Sequence, residues 1–211
     1  MIKKSNQIFD LLAKRFGQAS CELDFNNNYQ LIVAVVLSAR CTDKRVNIVT
    51  KDLFKKYPTP LDLANANILE VEKIIYSCGF YKNKARSIIN LAKDIVSKYD
   101  GNLPDTLDLL TNLSGVGRKT ANVVLSVGFN KPAIAVDTHV FRLSNRLGLS
   151  KSKDVLNCEK DLMKNVQKGK WSQFHHYLVL FGRYVCFSQN PKCKECELKG
   201  FCDFYKNNKK W

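Results

Sequence analysis

The sequence predicts an all-α protein. No stretch shows the apolar–polar alternation of a strand, apolar residues recur at helical spacing over most of the length, and Pro58, Pro60, Gly79 and Gly101 punctuate the periodic stretches. Over residues 3–16, Ile8, Leu11, Leu12 and Phe16 fall on one face of a helix. Asn26-Asn27-Asn28 makes a turn. Tyr29 to Ala39 is a nearly continuous apolar run, whose length favours a buried central helix over a buried strand. Cys41-Thr42-Asp43 caps the next helix, with Val46, Val49 and Leu53 facing inward. Leu61 to Tyr76 holds two short helices, and residues 82–99 form one longer helix that Gly101 ends. Asp105 to Leu110 reads as a short helix behind Pro104, and residues 138–147, 153–167 and 171–185 read as helices too.

Composition bounds what such a chain does. With 34 Lys and Arg against 19 Asp and Glu, the 211 residues carry a net charge of +15. That charge points to a polyanion, nucleic acid or an anionic membrane surface. The longest apolar run, Leu31 to Leu37, is far short of the ~20 residues that span a bilayer. Met1-Ile2-Lys3-Lys4 is not followed by an apolar signal core, so a cytoplasmic location and no membrane partner are expected. Eight cysteines in such a chain argue against disulfides. Cys21, Cys41, Cys78 and Cys158 are scattered and read as reduced, partly buried apolar residues.

Leu113-Ser114-Gly115-Val116-Gly117-Arg118-Lys119-Thr120-Ala121 starts as a tight glycine turn and runs into an apolar helix carrying Val123, Val124 and Val127, with Gly128 at its end. The unit is helix, Gly-x-Gly hairpin, helix. The second helix starts near Gly117 or Arg118, and its free N–H groups and positive dipole end suit a phosphate. Lys119 stands in the first turn, where the dipole and Arg118 disfavour a further positive charge and favour the neutral, nucleophilic amine.

Four other cysteines lie close together, as Cys186-x6-Cys193-x2-Cys196-x5-Cys202. Four thiolates so near in sequence suit a tetrahedral zinc or a [4Fe–4S] cluster, and the spacing leaves both open. Asp137, in Val136-Asp137-Thr138-His139, precedes an amphipathic helix and reads as its N-cap. His139, His175 and His176 read as structural hydrogen-bonding residues, with His175 or His176 facing solvent or the cysteine region.

The hairpin, the aspartate segment and the cysteine cluster resemble, in this order, the endonuclease III family of DNA glycosylases. The resemblance covers nearly the whole chain. It implies two helical domains with a DNA cleft between them: a continuous insert over 22–132, with the hairpin at 105–128, and a discontinuous domain of 1–21 plus 133–211 with a [4Fe–4S] loop at 186–202. It implies a monomeric base-excision-repair enzyme that removes oxidised or ring-saturated pyrimidines from duplex DNA and cleaves abasic sites. Lys119 and Asp137 are then the catalytic residues, and Cys186, Cys193, Cys196 and Cys202 the cluster ligands. Gly115, Gly117 and Arg118 of the hairpin would contact DNA.

The same resemblance assigns Ser38-Ala39-Arg40-Cys41 to a loop that fills the gap left by a flipped nucleotide, and Cys78-Gly79-Phe80-Tyr81-Lys82-Asn83-Lys84 to a loop that wedges into the opposite strand. Arg40 stands where glutamine is usual and Phe80 where the family is aliphatic. Lys82, Lys84 and Lys192 are candidate phosphate contacts. The family's acidic residue before the hairpin is replaced by Thr111, and its proline by Ser114. An adenine-mismatch glycosylase is the alternative within the superfamily, but Lys119 and the short tail after Cys202 argue against it. A non-catalytic DNA-binding protein and a zinc-bound basic protein of the RNA machinery are the alternatives outside it.

Overall fold

The computed structural model describes residues 1–208, and every regular element among them is helical. In chain order these are α1 (Ile2–Phe16), α2 (Asn28–Leu37), α3 (Asp43–Lys56), α4 (Pro60–Ala64), α5 (Ile68–Ile74), α6 (Tyr81–Tyr99), α7 (Leu107–Thr111), α8 (Arg118–Val127), α9 (Thr138–Arg146), α10 (Val155–Asn165), α11 (Trp171–Tyr184) and α12 (Asp203–Asn207). Single 3₁₀ turns at Lys168–Lys170 and Lys199–Phe201 precede α11 and α12.

Side-chain caps fix where the helices begin. Asn27 accepts from the Gln30 amide at 2.9 Å and starts α2, and Thr42 accepts from Arg45 and starts α3. Thr59 and Asp62 form a reciprocal capping box around Pro60, so the proline read as a stop is the first residue of α4. Thr106 caps the helix after Pro104, which therefore begins at Leu107 rather than Asp105. The end of α6 also differs from expectation. Asp100, not Gly101, is its left-handed cap at φ 50°, and Gly101 follows at φ 79°, donating its N–H to the Ile95 carbonyl.

The chain divides into two compact units, 22–131 and 1–21 with 132–211. The unit of residues 22–131 is built on α2. Leu31, Ile32, Val33, Ala34 and Leu37 are fully buried, with α3, α6 and α8 packed around them. Helix α6 also carries α4 and α5. Gly128, at the end of α8, has an ordinary right-handed φ of −85°. Its need is closeness: a Cβ there would meet Asn28 Oδ1 at 2.6 Å and Leu31 Cδ2 at 2.9 Å.

In the other unit, α9 packs on α11, with α1 against α11 and α10 and α12 against α9. Its core includes Ile8, Leu12, Leu162, Phe174, Phe181 and Leu198. Phe9 meets Tyr177 edge-on, with ring centroids 5.3 Å apart. No helix among the described residues is long and apolar enough to cross a membrane.

Candidate functional site

The hairpin between α7 and α8 is a tight turn closed by the Val116 amide on the Leu113 carbonyl at 3.1 Å. Gly115 holds φ 75°, and a Cβ there would also press on Ser87 Cβ of α6 at 3.1 Å. Gly117 is the N-cap of α8. Gly115, Gly117, Arg118 and Lys119 are all exposed, so the residues read as a phosphate and sugar site do stand together at the surface. Leu113 and Val116 turn inward and are buried.

What holds this hairpin is a residue that sequence reasoning missed. The Asp94 carboxylate of α6 accepts from the Ser114 amide at 2.8 Å and from the Ser114 hydroxyl at 2.6 Å. It also pairs with Lys98 at 2.7 Å. Burial raises the Asp94 carboxyl, but hydrogen bonds from Lys98 and Ser114 outweigh it and hold the group below its usual range. No short motif announces a contact that spans 20 residues. Ser114, noted only as a departure from proline, is the hydroxyl that makes it.

Arg40 and Phe80, assigned separately from sequence, meet in the structure. Both adopt left-handed backbone conformations, φ 53° and 60°, and both are exposed. The Arg40 guanidinium carbon lies 5.6 Å from the centroid of the Phe80 ring. Phe80 is the N-cap of α6, and Lys82 stands exposed in its first turn. Lys84 is different. It is only 7 % exposed, and its ammonium has no hydrogen-bond partner among the described residues. The step from Lys82 to Lys84 turns the helix by about 200°, from the solvent face to the core face. Lys84 therefore cannot serve as the surface phosphate contact that the sequence suggested without leaving its burial site.

In the other unit, Asp137 caps α9. Its Oδ1 accepts from the amides of His139 at 2.9 Å and Val140 at 2.8 Å. Both bonds fall on one oxygen and leave Oδ2 for another task. The buried stretch Ala133–Val136 leads into it, and the His175 ring lies 2.7 Å from the Ala135 carbonyl. His175 is buried, not solvent-facing. Burial, with the neighbouring His175, lowers His176 to about 4. His139 contacts Arg142 at 3.2 Å, a structural role as read from sequence. Lys119 and Asp137 belong to different units.

Cys186, Cys193, Cys196 and Cys202 line one cavity together with Leu143, Phe181, Val185 and Leu198. No three His, Cys, Asp or Glu side chains among the described residues converge on a point that could hold a single metal ion. Burial raises the Cys193, Cys196 and Cys202 thiols, Cys196 to about 11. Two arginines that sequence reasoning missed hold the loop. Arg142 donates to the carbonyls of Gly182 and Cys186, at 3.0 and 2.9 Å. Arg146, one turn on, donates to Cys186 Sγ at 3.2 Å and to the carbonyls of Phe187 and Ser188. They contact Cys186 across 44 and 40 residues, so no local pattern announced them. Lys192 and Lys194 are exposed on the loop, and the Lys192 ammonium sits 5.9 Å from the Phe187 ring centroid.

Known proteins bear on this arrangement. Residues 33–168 match the family model described as HhH-GPD superfamily base excision DNA repair protein. Endonuclease III of Bacillus subtilis is 50 % identical over 202 residues, 95 % of this chain and 92 % of that protein. Endonuclease III of Synechocystis is 44 % identical over 95 % of this chain and 92 % of that protein. Two solved endonuclease III–DNA complexes, one a trapped covalent intermediate with an estranged adenine and one non-covalent, superpose with TM-scores of 0.89 and 0.90. Both are 49 % identical, covering 98 % of each chain. A thermostable thymine-DNA glycosylase at 22 % identity shares the fold, with a TM-score of 0.85.

The Asp94 clamp is testable. Asp94→Ala lowers unfolding stability by about 2 kcal/mol, because a charged acceptor of two hydrogen bonds is lost. Because the native carboxyl is held below its unfolded value, its contribution is complete above that value and disappears as pH falls through the native one. Urea titrations from neutral pH down to about pH 3 therefore show the gap between wild type and Asp94→Ala narrowing on acidification. A gap that stays constant or widens contradicts the clamp.

Proposed function

This chain belongs to the endonuclease III family of HhH-GPD base excision DNA repair proteins, and from that premise we propose that it is a DNA glycosylase with abasic-site lyase activity, acting on oxidised or ring-saturated pyrimidines in duplex DNA. The observation that carries the reading is Lys119, exposed in the first turn of a helix behind a glycine hairpin. The hairpin amides and Arg118 bind phosphate there, which delivers a sugar to the amine without reading sequence. The trapped covalent DNA intermediate of a relative 49 % identical supports a covalent step.

The damaged nucleotide must leave the stack, since C1′ is otherwise out of reach. The Lys119 amine attacks C1′ and the base departs. The Asp137 carboxylate, through the oxygen not spent on capping, stabilises positive charge on the sugar and takes up a proton from water. The resulting Schiff base acidifies the C2′ proton, β-elimination breaks the strand on the 3′ side of the sugar, and hydrolysis frees the lysine. Arg40 and Phe80 enter the duplex as one stacked pair, the ring as a wedge between base steps and the guanidinium as a donor to the orphaned base. Lys82 and Lys192 contact phosphates. Lys84, buried at the base of the Phe80 loop, supports that loop from beneath.

Cys186, Cys193, Cys196 and Cys202 fit a [4Fe–4S] cluster better than zinc. They line one cavity, and the four-cysteine loop of the endonuclease III family favours the cluster. When bound, the cluster cross-links four points of a loop that has little core of its own. The Arg146 hydrogen bond to Cys186 Sγ steadies a thiolate in that set.

On a duplex with one thymine glycol, wild-type protein releases the base and leaves a β-elimination nick. Lys119→Gln abolishes the nick at both the lesion and a preformed abasic site, and Asp137→Asn slows it by at least about a hundredfold. Nicking by Lys119→Gln at wild-type rate contradicts the mechanism. Purified protein is brown, and Cys202→Ser is colourless and unfolds more readily. A colourless wild type that contains zinc contradicts the cluster assignment.

A further inference from the structure

The two loops that carry Arg40 and Phe80 also carry two of the cysteines set aside as isolated. The structure brings their segments side by side, and after burial Cys41 is the neighbour that acts most on the Cys78 thiol. The flanking backbones touch too: a Cβ on Gly79 would stand 3.7 Å from the Arg40 carbonyl oxygen. Cys78 is fully buried, whereas Cys41 is partly exposed, so a reagent in solution reaches one thiol and not the other. Beside them is the Lys84 ammonium, buried and without a hydrogen-bond partner among the described residues. A buried charge without a partner is costly, and a thiolate would relieve it. Burial and the Cys41 hydrogen bond push the Cys78 thiol up to about 11, and the charges of Lys84 and Arg45 oppose that rise.

We propose that Cys41 and Cys78 are a reversible disulfide site that couples the Arg40 loop to the Phe80 loop. The oxidant is a low-molecular-weight disulfide. The Cys41 thiolate attacks one of its sulfurs, forming a mixed disulfide and releasing the first small thiol. The Cys78 thiolate then attacks Cys41 Sγ, forming the protein disulfide and releasing the second. The two cysteine protons leave on the two small thiols, and the two electrons lost by the protein reduce the reagent. A disulfide requires an S–S separation of about 2.05 Å, shorter than any thiol hydrogen bond. Bond formation therefore pulls the loops together, and their tips, Arg40 and Phe80, move with them. This rests on the reading of those two residues as the DNA wedge. In a reducing cell such a bond is transient, as redox-sensing disulfides are.

The test uses full-length, cluster-bearing protein and oxidised glutathione, with cluster colour followed throughout. Peptide mapping without reductant gives a Cys41–Cys78 pair lighter by two hydrogens. The oxidised protein binds an abasic-site duplex about tenfold more weakly, a penalty of about 1.4 kcal/mol, and dithiothreitol restores it. Cys78→Ser stops at the mixed disulfide on Cys41, and Cys41→Ser takes up no glutathione at this site. No cross-link in brown, folded protein overturns the proposal, as does a cross-link that leaves affinity unchanged. If reduced protein fails to bind the duplex at all, the functional reading fails while the peptide map still decides the disulfide.

Discussion

Helix α2 has no polar face, and the unit of residues 22–131 follows from that constraint. Eight of its ten residues are buried, among them Leu31, Ile32, Val33, Ala34 and Leu37. Each large aliphatic side chain so buried contributes about 1.5–3 kcal/mol. Such a helix must be covered on all sides, and α3, α6 and α8 cover it. The cover presses close enough that Gly128 admits no side chain against Asn28 and Leu31. Once the apolar face of α8 is committed to α2, its polar N-terminus and Lys119 are left at the surface. Helix α6 is committed in the same way and carries Asp94, the clamp on the hairpin, and Phe80 at its start. Lys119 and Phe80 are thus placed by the same buried surface.

The second unit solves a different problem. Its C-terminal loop has few apolar residues, Leu198 being the fully buried one, and is held by charge and hydrogen bonds instead. Arg142 and Arg146 reach from α9 to five acceptor groups between residues 182 and 188. The same helix is capped by Asp137. A single short helix therefore carries both the proposed carboxylate and the two arginines on the proposed cluster loop.

Much of this was legible in the sequence, for a physical reason. Helical periodicity and local caps act over three or four residues, so α1, α2, α3, α8 and α9 could be read from their own residues. The hairpin, the aspartate and the cysteine run are local patterns as well. What was hidden depends on contacts distant in sequence. Asp94 looks like any helix-surface acid until Ser114 is brought to it. The burial of Lys84 follows from the packing of α6, which sequence alone does not set. Cys41 and Cys78 read as two unrelated buried thiols because nothing local says that their loops touch. The boundary errors are instructive too: Thr59 caps a helix that Pro60 itself begins, and the Thr106 cap starts α7 two residues after Asp105.

The proposed mechanism requires that the Lys119 amine bond covalently to the sugar. The most direct measurement is borohydride reduction of the protein on an abasic-site duplex, followed by nuclease and protease digestion and mass spectrometry of the adducted peptide. One modified peptide is expected, carrying the deoxyribose remnant on Lys119. A remnant on Lys82, Lys84 or the N-terminal amine, with Lys119 unmodified, would contradict it.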